Sequence, residues 1–231
     1  MRTASRRITR KEIRQPDRFV VLARRAIAFS KANQTAVAAG IAGVVVLLVL
    51  VLGWNLYRSR QNRLAAEEYA RAIDLYHESR YKEALEALNR LEVYRSSYYS
   101  RMGLLYAAST QNALQNTTAA VDSLQRLLQE EKKDPLLRQS AYVSLGYTQE
   151  QRGQWADAAR SYTEAEKIAG PLKADALLGE ARTHAQAGNL KEAVAAYKKF
   201  LADNPDSERF NEVSVRAQEL EAKARQAAPA K

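Results

Sequence analysis

Side chains able to do covalent or acid–base chemistry are few in this 231-residue chain, and their spacing does not bring them together. The two histidines, His77 and His184, are far apart in sequence, and cysteine is absent. The chain therefore offers no thiolate and no paired-imidazole zinc motif. His77, beside Glu78, reads as a solvated side chain in a turn. The nine glycines are scattered and form neither a G-x-G-x-x-G nor a Walker phosphate loop. The acid pairs Glu67-Glu68 and Glu130-Glu131 sit in helical surface runs beside Lys or Arg, which makes them solvated faces rather than general acid–base dyads. Asn116-Thr117-Thr118 has the form of a glycosylation acceptor, but nothing else in the chain supports that use. The expectation is a protein with no catalytic residues, no metal and no cofactor. Its chemistry is left to cations, tyrosines and aliphatic groups, and so to binding.

Those groups must be positioned by elements, and the plainest element is apolar. Residues 35–54 read TAVAAGIAGVVVLLVLVLGW, without one charge. A helix rising about 1.5 Å per residue would make this stretch about 30 Å long, the thickness of a bilayer's hydrocarbon core. The 34 residues before it exceed an ordinary signal-peptide n-region, and no small-x-small cleavage site follows. The stretch reads as a permanent single-pass anchor. Within it, Ala36/Gly40 and Ala39/Gly43 give small-xxx-small spacings that permit helix pairing, hence homo-oligomers through the span.

Charge supplies an orientation. Residues 1–34 hold ten Lys or Arg against two acids, Glu12 and Asp17, a net of +8 out of +10 for the whole chain. The positive-inside rule then places the N-terminus in the cytoplasm and the large C-terminal part outside. Asp17 after Pro16 suits an N-cap. Phe19, Ala23, Ala26, Ile27 and Ser30 then recur at helical spacing opposite Arg18, Arg24, Arg25 and Lys31, an amphipathic juxtamembrane helix whose cations meet the membrane surface. Because the remainder carries only +2, a nucleic-acid partner is not expected.

From Asn62 onward the chain is rich in good helix formers, and a repeat emerges. Arg80-Tyr81-Lys82-Glu83-Ala84-Leu85 returns as Gln154-Trp155-Ala156-Asp157-Ala158-Ala159 and as Asn189-Leu190-Lys191-Glu192-Ala193-Val194, with a weaker copy at Thr117-Thr118-Ala119-Ala120-Val121. The anchoring alanines Ala84, Ala120, Ala158 and Ala193 are 36, 38 and 35 residues apart. Four residues after each comes a larger apolar side chain: Leu88, Leu124, Tyr162 and Tyr197. Gly153 and Gly188 stand where a left-handed turn joins two helices, but the first two copies have Ser79 and Gln115 there. Asp134-Pro135, Gly170-Pro171 and Pro205 mark hairpin boundaries. Asp206–Ala227 reads as a capping helix with a stripe of Phe210, Val213, Ala217 and Leu220.

The run Tyr142, Leu145-Gly146, Gly153, Ala158, Tyr162, Ala165 resembles the tetratricopeptide repeat, and Gly188, Ala193, Tyr197, Phe200, Pro205 resembles its second half. The implied fold is all-α, a transmembrane helix followed by an α-solenoid of about four helical hairpins and a capping helix. The implied segments are a basic tail (1–34), the span (35–54), a basic linker or helix continuation (55–64), repeats (65–205) and a cap (206–231). In such arrays the first helix of each hairpin lines an inner groove. The repeat register selects Tyr69, Ile73 and Tyr76; Leu105, Ser109 and Asn112; Val143, Tyr147 and Glu150; and Leu178 and Arg182 as protein-binding candidates. Tyr94, Tyr98, Tyr99 and Tyr106 form either an exposed aromatic patch or the core between the first two repeats. The arrangement as a whole also resembles the ancillary SecYEG translocon subunit family. That resemblance implies an inner-membrane adaptor with translocon subunits, periplasmic chaperones or client chains as partners. The competing reading is a scaffold in division, cell-wall synthesis or pilus biogenesis.

Overall fold

The computed structural model describes residues 18–227, so the Asp17 cap and the more distal basic residues of the tail lie outside it. The chain separates into two units, 1–57 and 58–231. The first holds α1 (Arg18–Ala32) and the apolar part of α2 (Gln34–His77). By length and composition α2 is able to cross a membrane. Residues 55–64 are helical, continuing α2 rather than forming a loop.

The second unit begins with the last turns of α2 and continues with α3 (Tyr81–Arg90), a 3-10 turn (Leu91–Tyr94), α4 (Tyr98–Ala113) and α5 (Thr117–Glu130). It goes on through α6 (Pro135–Gln151), α7 (Trp155–Glu166), α8 (Lys173–Gln186), α9 (Leu190–Asp203) and α10 (Phe210–Ala227). There are no strands among the described residues. Residues 58–77 of α2 with α3, then α4/α5, α6/α7 and α8/α9, make four helical hairpins, and α10 packs on α9.

One local device builds all four hairpins. The first helix of each ends at a residue with positive φ: Ser79 (60°), Gln115 (61°), Gly153 (68°) and Gly188 (79°). The same pair of backbone bonds surrounds each of them. At the first turn Ser79 N donates to Tyr76 O (3.0 Å) and Arg80 N to Leu75 O (2.9 Å). At the third Gly153 N donates to Glu150 O (2.9 Å) and Gln154 N to Gln149 O (2.9 Å). This is the Schellman closure, which satisfies carbonyls that a helix end leaves open. The two copies without glycine thus adopt the same left-handed turn, at the steric cost that a Cβ brings there.

Five residues after each turn stand Ala84, Ala120, Ala158 and Ala193, all with no exposed surface. Seven residues before each stand Ala72, Ala108, Gly146 and Ala181, also buried. Small side chains on both helices let the backbones approach, and Leu88, Leu124, Tyr162 and Tyr197 fill the space beside them.

Polar contacts repeat with the same period. Within hairpins, Ser123 Oγ donates to Gln111 Oε1 (3.0 Å) and Ser161 Oγ to Gln149 Oε1 (2.7 Å). Between hairpins, Asn112 Nδ2 donates to Thr148 Oγ1 (2.8 Å), and Thr183 Oγ1 donates to Glu150 Oε1 (2.7 Å). Thr148 and Thr183 are fully buried, so these bonds satisfy groups that would otherwise be left without water.

Two expectations are corrected. His77 is the last residue of α2 rather than a turn residue. The capping helix starts at Phe210, not Asp206, because 205–209 form turns in which Arg209 N donates to Ser207 Oγ (3.2 Å). Of its stripe, Val213, Ala217 and Leu220 are buried against the last hairpin, whereas Phe210 is only half-buried and lies outside that cluster.

Candidate functional site

On a helix, positions three or four apart share a face. Counting back from the left-handed turns, residues ten, six and three places earlier fall on one face of α2, α4, α6 and α8. These first helices neighbour one another, α4 beside α6 and α6 beside α8. Their shared face forms a depression of about 630 Å³ lined by Tyr76, Ser109, Asn112, Val143, Tyr147, Leu178 and Arg182. Seven of the eleven sequence candidates therefore converge on one surface.

The other four do not line it. Tyr69 packs its ring against Tyr99 and Tyr106, both centroids 5.7 Å away, and so belongs to the first core cluster. Leu105 packs against the second cluster. Ile73 is half-buried and does not line the depression. Glu150 is withdrawn by its partners. Its carboxylate accepts from Arg182 Nε (3.0 Å) and Nη2 (2.6 Å), from Tyr162 OH (2.9 Å) and from Thr183 Oγ1 (2.7 Å). The four tyrosines at the first join divide likewise. Tyr94, Tyr99 and Tyr106 pack as core, while Tyr98 stays at the surface and donates to Asp134 Oδ2 (3.0 Å).

Register alone does not find Asp175 and Arg209, which also line the depression. Asp175 lies one turn before Leu178 on the same helix, a signal that was available. Arg209 comes from the turn before α10 and carries no repeat signal. The depression runs on past Leu178, Arg182 and Arg209 into a second one of about 460 Å³ walled by Val215 and Arg216 of α10.

The groove's electrostatics are nearly self-contained. Arg182 is paired with Glu150, Arg209 faces Asp175 at 3.7 Å, and Arg216 meets Glu219 at 3.4 Å. The hydrogen bonds it donates to Glu150 hold the pKa of the Arg182 guanidinium above its ordinary value. Burial, then the Glu150 charge, pushes the Tyr162 phenol well above its ordinary value. Both groups keep one charge state at physiological pH. What faces the open groove is aromatic and aliphatic surface (Tyr147 is half exposed) with hydroxyl and amide groups between. Asn112 adds an unusual feature, since its Oδ1 is buried and accepts no hydrogen bond from the described residues. Among the described residues no cluster of three or more His, Cys, Asp or Glu could hold a metal ion.

The tetratricopeptide repeat family matches this chain over residues 143–208, and a second description of the same family matches 103–133. No curated protein matches the sequence. Among solved structures, a tetratricopeptide repeat protein from Parabacteroides merdae is 16% identical with a TM-score of 0.58, over 69% of this chain. The match spans only 60% of that protein's length. A Podosopora anserina protein with nearly identical TPR-like repeats is also 16% identical, with a TM-score of 0.55 over 72% of this chain and 95% of its own. At such identity the likeness concerns the fold. Tetratricopeptide repeat descriptions thus match residues 103–133 and 143–208, and the helical-hairpin architecture of the second unit is similar to that of solved tetratricopeptide repeat arrays.

Proposed function

We propose that this chain is a membrane-anchored, non-enzymatic adaptor whose inner groove holds extended segments of secreted or envelope proteins beside the Sec translocon, in a chaperone-like role. The observation that carries the binding part is the convergence of seven register-selected residues on one open surface. Its mix of tyrosine, aliphatic and amide groups suits a protein segment rather than a small ligand or a polyanion. Because the groove's cations are already paired, selection rests on shape and hydrogen bonding more than on net charge.

The membrane part of the proposal rests on the uncharged run 35–54 and on the excess of cations before it, with the N-terminus cytoplasmic and the repeats periplasmic at a bacterial inner membrane. An anchor so close in sequence to the repeats raises the groove's effective concentration at the membrane exit, so weak affinity for many clients suffices. The link to the translocon follows from the resemblance of the whole arrangement to the ancillary subunit family.

The test is in-cell photocrosslinking from Tyr147, with the outward-facing Arg160 as a control position. Adducts from Tyr147 that contain translocon subunits, periplasmic chaperones and diverse secretory chains support the adaptor. One discrete envelope protein moves the reading to a scaffold. Adducts at Arg160 but none at Tyr147 show that the groove is not the binding face.

A further inference from the structure

We propose that α1 is an anionic-lipid-binding element that lies in the plane of the bilayer surface. Leu22, Ile27 and Phe29 then sit among acyl chains, and Arg24, Arg25 and Lys31 sit at lipid phosphates. The proposal rests on the reading of residues 35–54 as a span, which fixes α1 beside a bilayer.

The sequence of α1, RFVVLARRAIAFSKA, contains no acid. Stepped at about 100° per residue, Phe29, Leu22, Ala26, Ala23 and Ile27 occupy one half of the helix with Val20 at its edge, and Lys31, Arg24 and Arg25 the other, with Val21 between the two arginines. Leu22, Ile27 and Phe29 are 64%, 57% and 64% exposed, an apolar face on a helix that also carries a strongly basic one. Water is a poor partner for that face, and a protein core would leave the cations unpaired.

The alternatives within a bilayer fail on dimensions. Fifteen residues of helix reach about 22 Å, short of the roughly 30 Å core, and carrying these cations across would be costly. A helix with one cationic and one apolar face satisfies both demands at an interface. The charge complement is negative, because residues 1–34 carry a net of +8. The chain also changes character at one residue. Asn33 N donates to Phe29 O (3.0 Å) and Asn33 Nδ2 donates to the same oxygen (3.3 Å), closing α1 where the uncharged run is about to begin. That side-chain bond covers a carbonyl of the helix end. An amphipathic helix and a uniformly apolar one meet there.

The absence of cysteine makes a clean experiment possible. Single-cysteine variants Leu22→Cys, Ala28→Cys and Leu47→Cys of the full chain are labelled with an environment-sensitive fluorophore. Each is placed in nanodiscs of phosphatidylcholine alone or of phosphatidylcholine with phosphatidylglycerol. The expected result is a blue-shifted, brighter probe at position 22 in anionic discs only, a water-like probe at position 28, and a buried probe at position 47 in both. Arg24→Gln with Arg25→Gln should lower the surface-bound to free ratio by about fivefold for each charge removed, and added salt should act in the same direction. A water-like probe at position 22 in both discs, with position 47 buried, overturns the proposal and leaves the span intact. Equal burial at position 22 in both discs overturns the selection for anionic lipid. A water-like probe at position 47 overturns the membrane reading itself.

Discussion

Tyr162 offers a sharp test of how this array is held together. Its ring is 2% exposed and lies between α6 and α8, opposite a glycine on each. A Cβ at Gly179 would stand 2.5 Å from Tyr162 Cε1 and 2.6 Å from Cζ, and one at Gly146 would stand 2.8 Å from Cζ. The ring cannot retreat freely, because its hydroxyl is tied to Glu150 at 2.9 Å. Ordinary contact needs about an ångström more than Gly179→Ala would leave, and overpacking of this kind costs up to about 3 kcal/mol. Against that, alanine inside a helix is better than glycine by about 0.9 kcal/mol. Gly179→Ala alone should therefore destabilise by about 2 kcal/mol. In a Tyr162→Leu background the clash is gone, and the same substitution should stabilise by about 0.9 kcal/mol, a coupling of about 3 kcal/mol. The assay is urea unfolding of the detergent-solubilised full chain by far-UV circular dichroism, over the four members of the cycle. An equal cost of Gly179→Ala in both backgrounds would refute the reasoning, since the penalty would then come from the backbone and not the ring.

Two further outcomes complement the crosslinking and nanodisc tests given above. Ser79→Gly and Gln115→Gly should each stabilise by about 0.5–1 kcal/mol, the relief of a left-handed non-glycine residue less the extra freedom of glycine in the unfolded chain. Denaturation midpoints check this, and the two effects should add because the turns are in different repeats. Glu131 is buried, accepts from Arg101 Nε (2.6 Å) and from the backbone N–H of Lys133 (2.7 Å) and Asp134 (2.9 Å). Burial alone would raise its pKa, but the two backbone donors and Arg101 outweigh it and hold the carboxyl below its ordinary value. A depressed folded-state pKa contributes stability that is present above the unfolded value and lost as pH falls through the folded one. Glu131→Gln should cost about 2 kcal/mol at neutral pH. The gap from the parent chain should close as the pH drops below the usual carboxylate range, and a gap independent of pH would show that the charge is not involved.

The first of those two outcomes shows where sequence and structure part company. The missing glycines at Ser79 and Gln115 make the first two copies look divergent, yet both positions close with the same backbone bonds as Gly153 and Gly188. Hydrogen bonds common to every residue type set the turn, and the side chain only sets its cost.

The sequence by itself determined the period of the repeats, the small residues where paired helices touch, and the uncharged helix near the N-terminus. All three are local: a helical face is decided within a turn or two of the residue concerned, and the length of an apolar run needs no partner. It also carried the register of the inner face, which is why seven candidates meet at one groove. The tertiary structure alone decided which residues on that face stay open. Tyr69 is covered by Tyr99 and Tyr106, and Glu150 is drawn down by Arg182 and Thr183 from the next repeat. Arg209 reaches the groove from a turn outside the repeats. Exposure depends on neighbours about thirty residues away, and neither helical period nor local propensity encodes what those neighbours will cover.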